Sequence, residues 1–236
     1  MKRLILFTIG FATLISPAVR ADVSATQAAR AEHWFQQYAQ NRQPDYFLSA
    51  VLTMSDEGFF KRAGQPQTSI GFFATVFAQN PQKVEFWLNH ISSLPLAHQR
   101  ILAAAAWQAG FSAGEKMLRE MSEDAGVSAK KEIAGYLEQG AKSIAQTPVQ
   151  SEGAMYLNWG AFLADGDERH VLAVLNAFGS SEPSVSASAR YILAQSAASN
   201  ESVMKICQAQ LDKQPAPLRE ELRAALNSPV TQSNGT

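Results

Sequence analysis

Only one cysteine, Cys207, occurs in 236 residues, so no disulfide can form within the chain and its stability has to come from packing. Basic residues are not in excess either: Lys and Arg number 20 against 21 Asp and Glu. That balance withholds the positive field a sequence-independent nucleic-acid binder needs to neutralise phosphates. No apolar run reaches the ~20 residues that span a bilayer as a helix. Nor is there a sustained alternation of β-branched with polar residues, the mark of a half-buried strand. Strands are therefore not expected, and the chain is predicted to be all-α. Without a strand there is no setting for the strand-turn-helix elbow that carries the serine of an α/β hydrolase. A His-Glu-x-x-His zinc pattern and a Cys-x-x-Cys-His haem-attachment run are missing too, so no cofactor and no metal is expected.

What is present begins with a leader. Met1-Lys2-Arg3 is positively charged, and Leu4 to Ile15 is apolar and uncharged, the order in which a secretory signal is read. Ser16-Pro17 breaks the apolar helix. Val19 and Ala21 are the small residues a signal peptidase accepts, which predicts a Sec-type signal peptide over residues 1–21, cut between Ala21 and Asp22. Cys207 is too far from that cut to be lipidated. The predicted address is the periplasm, or secretion beyond it. Loss of Lys2, Arg3 and Arg20 with the leader leaves 17 basic against 21 acidic residues in 215, a net charge of −4. A chain of that length can bury roughly 70% of its unfolded surface in one core.

Helix punctuation recurs through residues 22–227, read as a single helical domain, and the polar tail 228–236 is expected to be disordered. Ser24 with Gln27 forms a capping box, predicting a helix from there to about Asn41. Asn80-Pro81 predicts a capped start for a helix with Val84, Trp87, Leu88 and Ile91 on one stripe. Leu94-Pro95 ends it and opens another toward Gly110. Further helices are expected from Ser112 to Glu123, Ser128 to Ile144, Gly153 to Ala164, Asp167 to Phe178, Pro183 to Ala198, Asn200 to Lys213 and Pro217 to Asn227. Connections this short predict stacked antiparallel hairpins, as an α-solenoid-like array or an irregular bundle. Residues 66–110 and 153–198 resemble each other in order: a helix end, a polar turn and a helix ending in Leu-Asn, then Ile-Leu-Ala (Ile101 to Ala103, Ile192 to Ala194). An internal duplication with a period near 85 to 90 residues would account for this. The rhythm is similar to TPR and HEAT repeats, but the Trp, Leu-Gly and Tyr positions of a TPR do not recur at 34 residues.

Side chains that could carry chemistry are scattered. His33, His90, His98 and His170 are expected at half-exposed helix positions. Asp165-Gly166-Asp167-Glu168 fits a turn with Asp167 as helix cap better than a calcium loop, whose later oxygens are missing. Cys207 lies on an apolar face and is expected in the core. Glu201-Ser202 begins like the catalytic segment of a lytic transglycosylase, but no Gly-Leu-Met-Gln-type motif follows. Adjacent aromatics are more telling, since Phe72-Phe73 and Phe86-Trp87 cannot all face one narrow seam. Those four are the candidates for an exposed groove that takes a partner. The leading expectation is therefore a periplasmic protein that acts by binding a protein partner, without catalysis. One alternative is an immunity or inhibitor protein against a toxin or hydrolase acting in the periplasm. Another is an enzyme or small-ligand receptor with a site assembled across helices, for which Glu115, Glu120, Glu132, Asp165 and His170 are the groups of interest.

Overall fold

The computed structural model describes residues 17–140, 144 and 148–227; the apolar leader at 4–15 and the tail at 228–236 lie outside the described residues. Among these residues all regular structure is helical, with twelve α-helices and no strand. The first, α1 (Pro17–Gln37), has proline at its first position, where the missing N–H is no loss. No glycine or proline follows until Pro44, so nothing interrupts it. This corrects the start expected at Ser24, which is an interior residue of α1, and the Ala21–Asp22 bond lies within the same helix.

Two helices then follow that the punctuation did not announce, α2 (Phe47–Asp56) and α3 (Gln65–Gln79). α3 is buried without a break from Thr68 to Ala74. Its entry is set by Gly64, whose φ of 74° is a backbone conformation glycine adopts without strain. Asn80 does not cap the next helix. Its amide turns back, donating to the Val76 carbonyl at 2.8 Å and to the Tyr38 hydroxyl at 3.4 Å. A 3-10 turn over Pro81–Lys83 leads into α4 (Val84–Asn89), with Val84, Trp87, Leu88 and the following Ile91 buried as one stripe.

α5 (Leu96–Gln108), α6 (Ser112–Glu123) and α7 (Val127–Gln139) come next. α8 (Glu152–Asp165) and α9 (Glu168–Asn176) are joined through Gly166 at φ 74° and capped by Asp167. α10 (Pro183–Ser199), α11 (Glu201–Gln210) and α12 (Ala216–Asn227) complete the fold. Asn200 caps α11, accepting from Ser202 N at 3.0 Å and Val203 N at 3.3 Å.

Burial is organised in two large clusters and one small one. The first joins α1 to α5 with Leu163 and Ala164 of α8, and is dense in aromatics. Phe35 stacks on Phe72 at 4.2 Å and Phe47 on Trp87 at 4.3 Å. The second cluster holds α8 to α12, including Met155, Leu193, Cys207 and Leu222. The third is Ala103, Leu118 and Ile133, where α5, α6 and α7 meet. Ile133 is the only fully buried side chain of α7 among the described residues.

The tightest pairing is not between sequence neighbours. α3 and α8 run side by side in the same direction: Gln67 meets Gly153 at one end, and the Gln79 amide meets the Ala164 carbonyl at the other. Glycines allow this approach. A Cβ built on Gly71 would sit 2.0 Å from the Leu157 carbonyl oxygen, and one on Gly160 1.9 Å from that of Thr68. The backbones thus touch where side chains would ordinarily separate them.

The aromatic pairs behave differently from the expectation. Phe72 faces Trp34, Phe35 and Tyr38 of α1, while its neighbour Phe73 faces Phe47 and Phe60. Both are fully buried between α1 and α2, and Trp87 of α4, packed on Phe47 and Phe77, is 3% exposed. Of the four proposed partner-facing aromatics only Phe86 is at the surface, 55% exposed. It lies on the ring of His90 at 4.1 Å.

Candidate functional site

Where α3, α5, α7 and α8 converge they leave a cavity of about 320 Å³. Ser151 positions one wall: its hydroxyl accepts from Ala154 N at 3.2 Å and so starts α8. From that start the helical spacing brings Ala154, Leu157 and Asn158 to the same face, opposite Gln67 and Ile70 of α3. Gln108 of α5, Tyr136 of α7, and Ile144, Pro148 and Gln150 between α7 and α8 also line it. Among the described residues the wall holds no carboxylate, amine, guanidinium, imidazole or thiol. Its polar groups are side-chain amides and two hydroxyls. The Tyr136 hydroxyl donates to Glu132 Oε1 at 2.7 Å. Burial, and then that hydrogen bond, push its pKa well above the ordinary phenol value, so it stays protonated.

Asn158 is the anchored group of this wall, 1% exposed. Its Nδ2 donates to the Ala154 carbonyl at 2.9 Å, and its Oδ1 lies 3.1 Å from His170 Nδ1. His170 Nε2 is in turn 3.4 Å from Asp165 Oδ2, and Asp165 Oδ1 accepts from Asp167 N at 2.8 Å. A polar chain therefore runs from the cavity wall through the α8–α9 turn and fixes the orientation of the Asn158 amide.

Of the five groups singled out for an assembled active site, only Asp165 and His170 meet. Glu115 pairs with Arg119 at 2.6 Å and Glu120 with Lys116 at 3.8 Å, each one turn away on α6. Glu132 pairs with Arg100 at 3.4 Å. No three His, Cys, Asp or Glu side chains among the described residues are placed to hold a metal ion. The histidines divide: His33 and His90 are exposed, whereas His98 and His170 are buried, which corrects the half-exposed positions expected for all four. His98 Nδ1 lies 2.7 Å from the Ser55 hydroxyl, a pair that links α2 to α5 inside the core. Burial, followed by the nearby Lys61 charge, holds the His98 pKa below its usual range.

Gly110-Phe111-Ser112-Ala113-Gly114 has the Gly-x-Ser-x-Gly spacing of a hydrolase elbow without its setting. It joins helix to helix, with Ser112 as the exposed first residue of α6. Gly110, at φ 89°, ends the α5 segment. Gly114 lets α6 lie on α5, since a Cβ there would be 2.5 Å from the Ala103 carbonyl oxygen. No non-glycine among the described residues has a positive φ, so the strained serine of an elbow is not formed.

Cys207 is fully buried and burial pushes its thiol up to about 11. Since the thiolate is the reactive form, a disulfide-exchange reagent such as dithionitrobenzoate is expected to label Cys207 only after denaturant is added. Rapid labelling of the native chain would contradict its burial.

Asp167 offers a second check. Its carboxylate accepts from Arg169 N at 2.9 Å. The hydrogen bond from the Arg169 side chain is the main cause holding its pKa below the usual carboxylate value. A depressed folded-state pKa stabilises above the unfolded pKa and is lost as pH falls through the folded one. Asp167→Ala is therefore expected to lower stability by about 1 kcal/mol at pH 7. Urea midpoints of the two proteins should converge below about pH 3, under the ordinary carboxylate range.

The site was invisible in the sequence because Gln67, Gln108, Gln150 and Asn158 are amides from distant segments with no spacing signature. No family model, no curated protein and no solved structure matches this chain.

Proposed function

We propose that the protein is exported to the periplasm and acts there as a helical protein-binding module that performs no catalysis. The observation that carries this reading is the cavity wall at the α3, α5, α7 and α8 junction. It offers shape, apolar surface and neutral hydrogen-bonding groups, as binding sites do, and both of its hydroxyls are already engaged. The Ser151 hydroxyl is engaged as a helix cap and the Tyr136 hydroxyl is bound to Glu132. The order of charge, apolar run and small residues at positions 1–21 supports export. The similarity of residues 66–110 to 153–198 adds support for a duplicated helical unit, because α3 and α8, each early in one of those stretches, lie parallel and in contact.

Crosslinking in living cells, followed by mass spectrometry of the captured species, tests the reading. A reproducible protein partner, on a chain whose N-terminus is Asp22 in the periplasmic fraction, is the expected result. Recovery of the chain alone, or of an uncleaved chain in the cytoplasm, would count against it.

A further inference from the structure

We infer that the first turn of α5 is an acid-released latch: protonation of His98 frees that turn from Ser55 of α2, while the helices around α3 and α8 stay packed. The device does not depend on the protein-binding reading. His98 is 4% exposed, with Nδ1 2.7 Å from the Ser55 hydroxyl and the Phe60 ring 5.1 Å away. A neutral imidazole can accept from a hydroxyl or donate to it, whereas an imidazolium only donates and here holds a full charge away from water.

The charged groups around the ring do not compensate. His98 is the third residue of α5, near the positive end of the helix dipole, and the first turn holds no acidic residue. Lys61, which ends the 3-10 turn Phe59–Lys61, adds a like charge. Carboxylates on the elements packed around α5 are exposed or paired elsewhere. Asp56 and Glu57 at the end of α2 and Glu85 of α4 are exposed, Glu115 of α6 pairs with Arg119, and Glu132 of α7 pairs with Arg100. α3 has no titratable side chain. Burial, then Lys61, accordingly hold the His98 pKa below its usual range.

Release is local because the turn is lightly attached. From Pro95 to Arg100, His98 is the one buried residue, and Leu96 is already 65% exposed. The Gln99 amide donates to the Ser92 carbonyl at 3.2 Å and to the Leu94 carbonyl at 2.7 Å, which ties the turn to its own loop rather than to α2. Opening it uncovers little apolar surface beyond the imidazole, so it costs less than opening the core. A histidine held neutral by the fold stabilises in full above the ordinary imidazole value of about 6.5, and that stability is lost as pH falls from there toward the folded-state pKa.

Histidine-selective ¹⁵N labelling of the full chain, followed by NMR from about pH 8 to about pH 5, reads the ring, and hydrogen exchange of backbone amides reads the turn. The His98 ring is expected to stay neutral at about pH 6. At about pH 5.5, one unit below the ordinary value, the amides of His98, Gln99 and Arg100 should exchange about tenfold faster than at about pH 7.5, after correction for the intrinsic rate. The Leu163 amide of α8 should keep its protection. His98→Gln, neutral at every pH, should remove the acid step. Lys61→Glu, at an exposed position, carries the test if His98→Gln does not fold: a carboxylate in place of the ammonium should cut the acceleration to about threefold or less.

A charged His98 ring at about pH 6 within a protected turn would overturn the proposal. So would an acid step that persists in a folded His98→Gln or is undiminished in Lys61→Glu. Equal loss of protection across α8 would overturn it too, because acid would then be opening the whole core.

Discussion

Alanine in place of Gly160 is expected to abolish most of the folded state, and alanine in place of Gly71 to do nearly the same. The added carbon at Gly160 would lie 1.9 Å from the Thr68 carbonyl oxygen and 2.7 Å from Phe72 N. Neither is the end of a side chain that can swing aside. Relief requires α3 and α8 to move apart, which opens the first cluster at Leu163 and Ala164 and the second at Met155 and Phe162. Overpacking against a rigid neighbour costs about 3 kcal/mol or more, a large part of the ~5–15 kcal/mol that keeps a domain folded. Urea unfolding followed by circular dichroism measures it. Gly135→Ala on α7, where a Cβ meets nothing within 4 Å, is the matched control and should gain about 0.5–1 kcal/mol. A Gly160→Ala protein as stable as the parent would mean that the two helices do not touch at this point.

That contact also marks where the sequence stops being legible. Helices with one buried face and polar ends could be read from their punctuation. α6 occupies Ser112–Glu123 as expected, Asp167 caps α9 as anticipated, and Asn200, expected to open a helix, caps α11. α3 could not be read in this way. Its middle turns are buried all round, from Thr68 to Ala74, and so show no single apolar stripe, and its entry at Gly64 uses a backbone conformation rather than a capping side chain. Asn80 misled for a related reason: an asparagine at a helix boundary can cap forward or bond backward, and only the presence of Tyr38 and Val76 decides. The cavity was less legible still, because its polar groups come from segments more than 80 residues apart, such as Gln67 and Asn158.

Phe72→Ala is expected to produce the second large loss, about 4 kcal/mol. Phe72 is fully buried and stands against four rings: stacked on Phe35 at 4.2 Å, and edge-on to Trp34 at 5.3 Å, Tyr38 at 5.5 Å and Phe73 at 5.4 Å. Truncation removes the ring's burial and leaves a void that α1 and α3 cannot both close. Phe86→Ala, at the 55% exposed member of the aromatic set, should change stability by less than about 0.5 kcal/mol. Chemical denaturation of the two variants side by side tests whether these phenylalanines divide into core and surface as described. Similar losses for both would show that Phe86 is covered in solution.

α7 ends at Gln139 and α8 begins at Glu152, and between them is where one would cut the chain in two. The seam between α3 and α8 says otherwise. Residues 17–140 alone would lack Leu163 and Ala164 from their aromatic cluster, and would expose the face of α3 that Gly71 opens. Residues 152–227 alone would present the backbone of α8 at Gly160 to water. Each fragment ends in a groove shaped for the other. Expressed separately they are unfinished surfaces, and mixed together they have the complementarity to reassemble as a split protein, joined along a line of glycines rather than along an interlocking row of side chains.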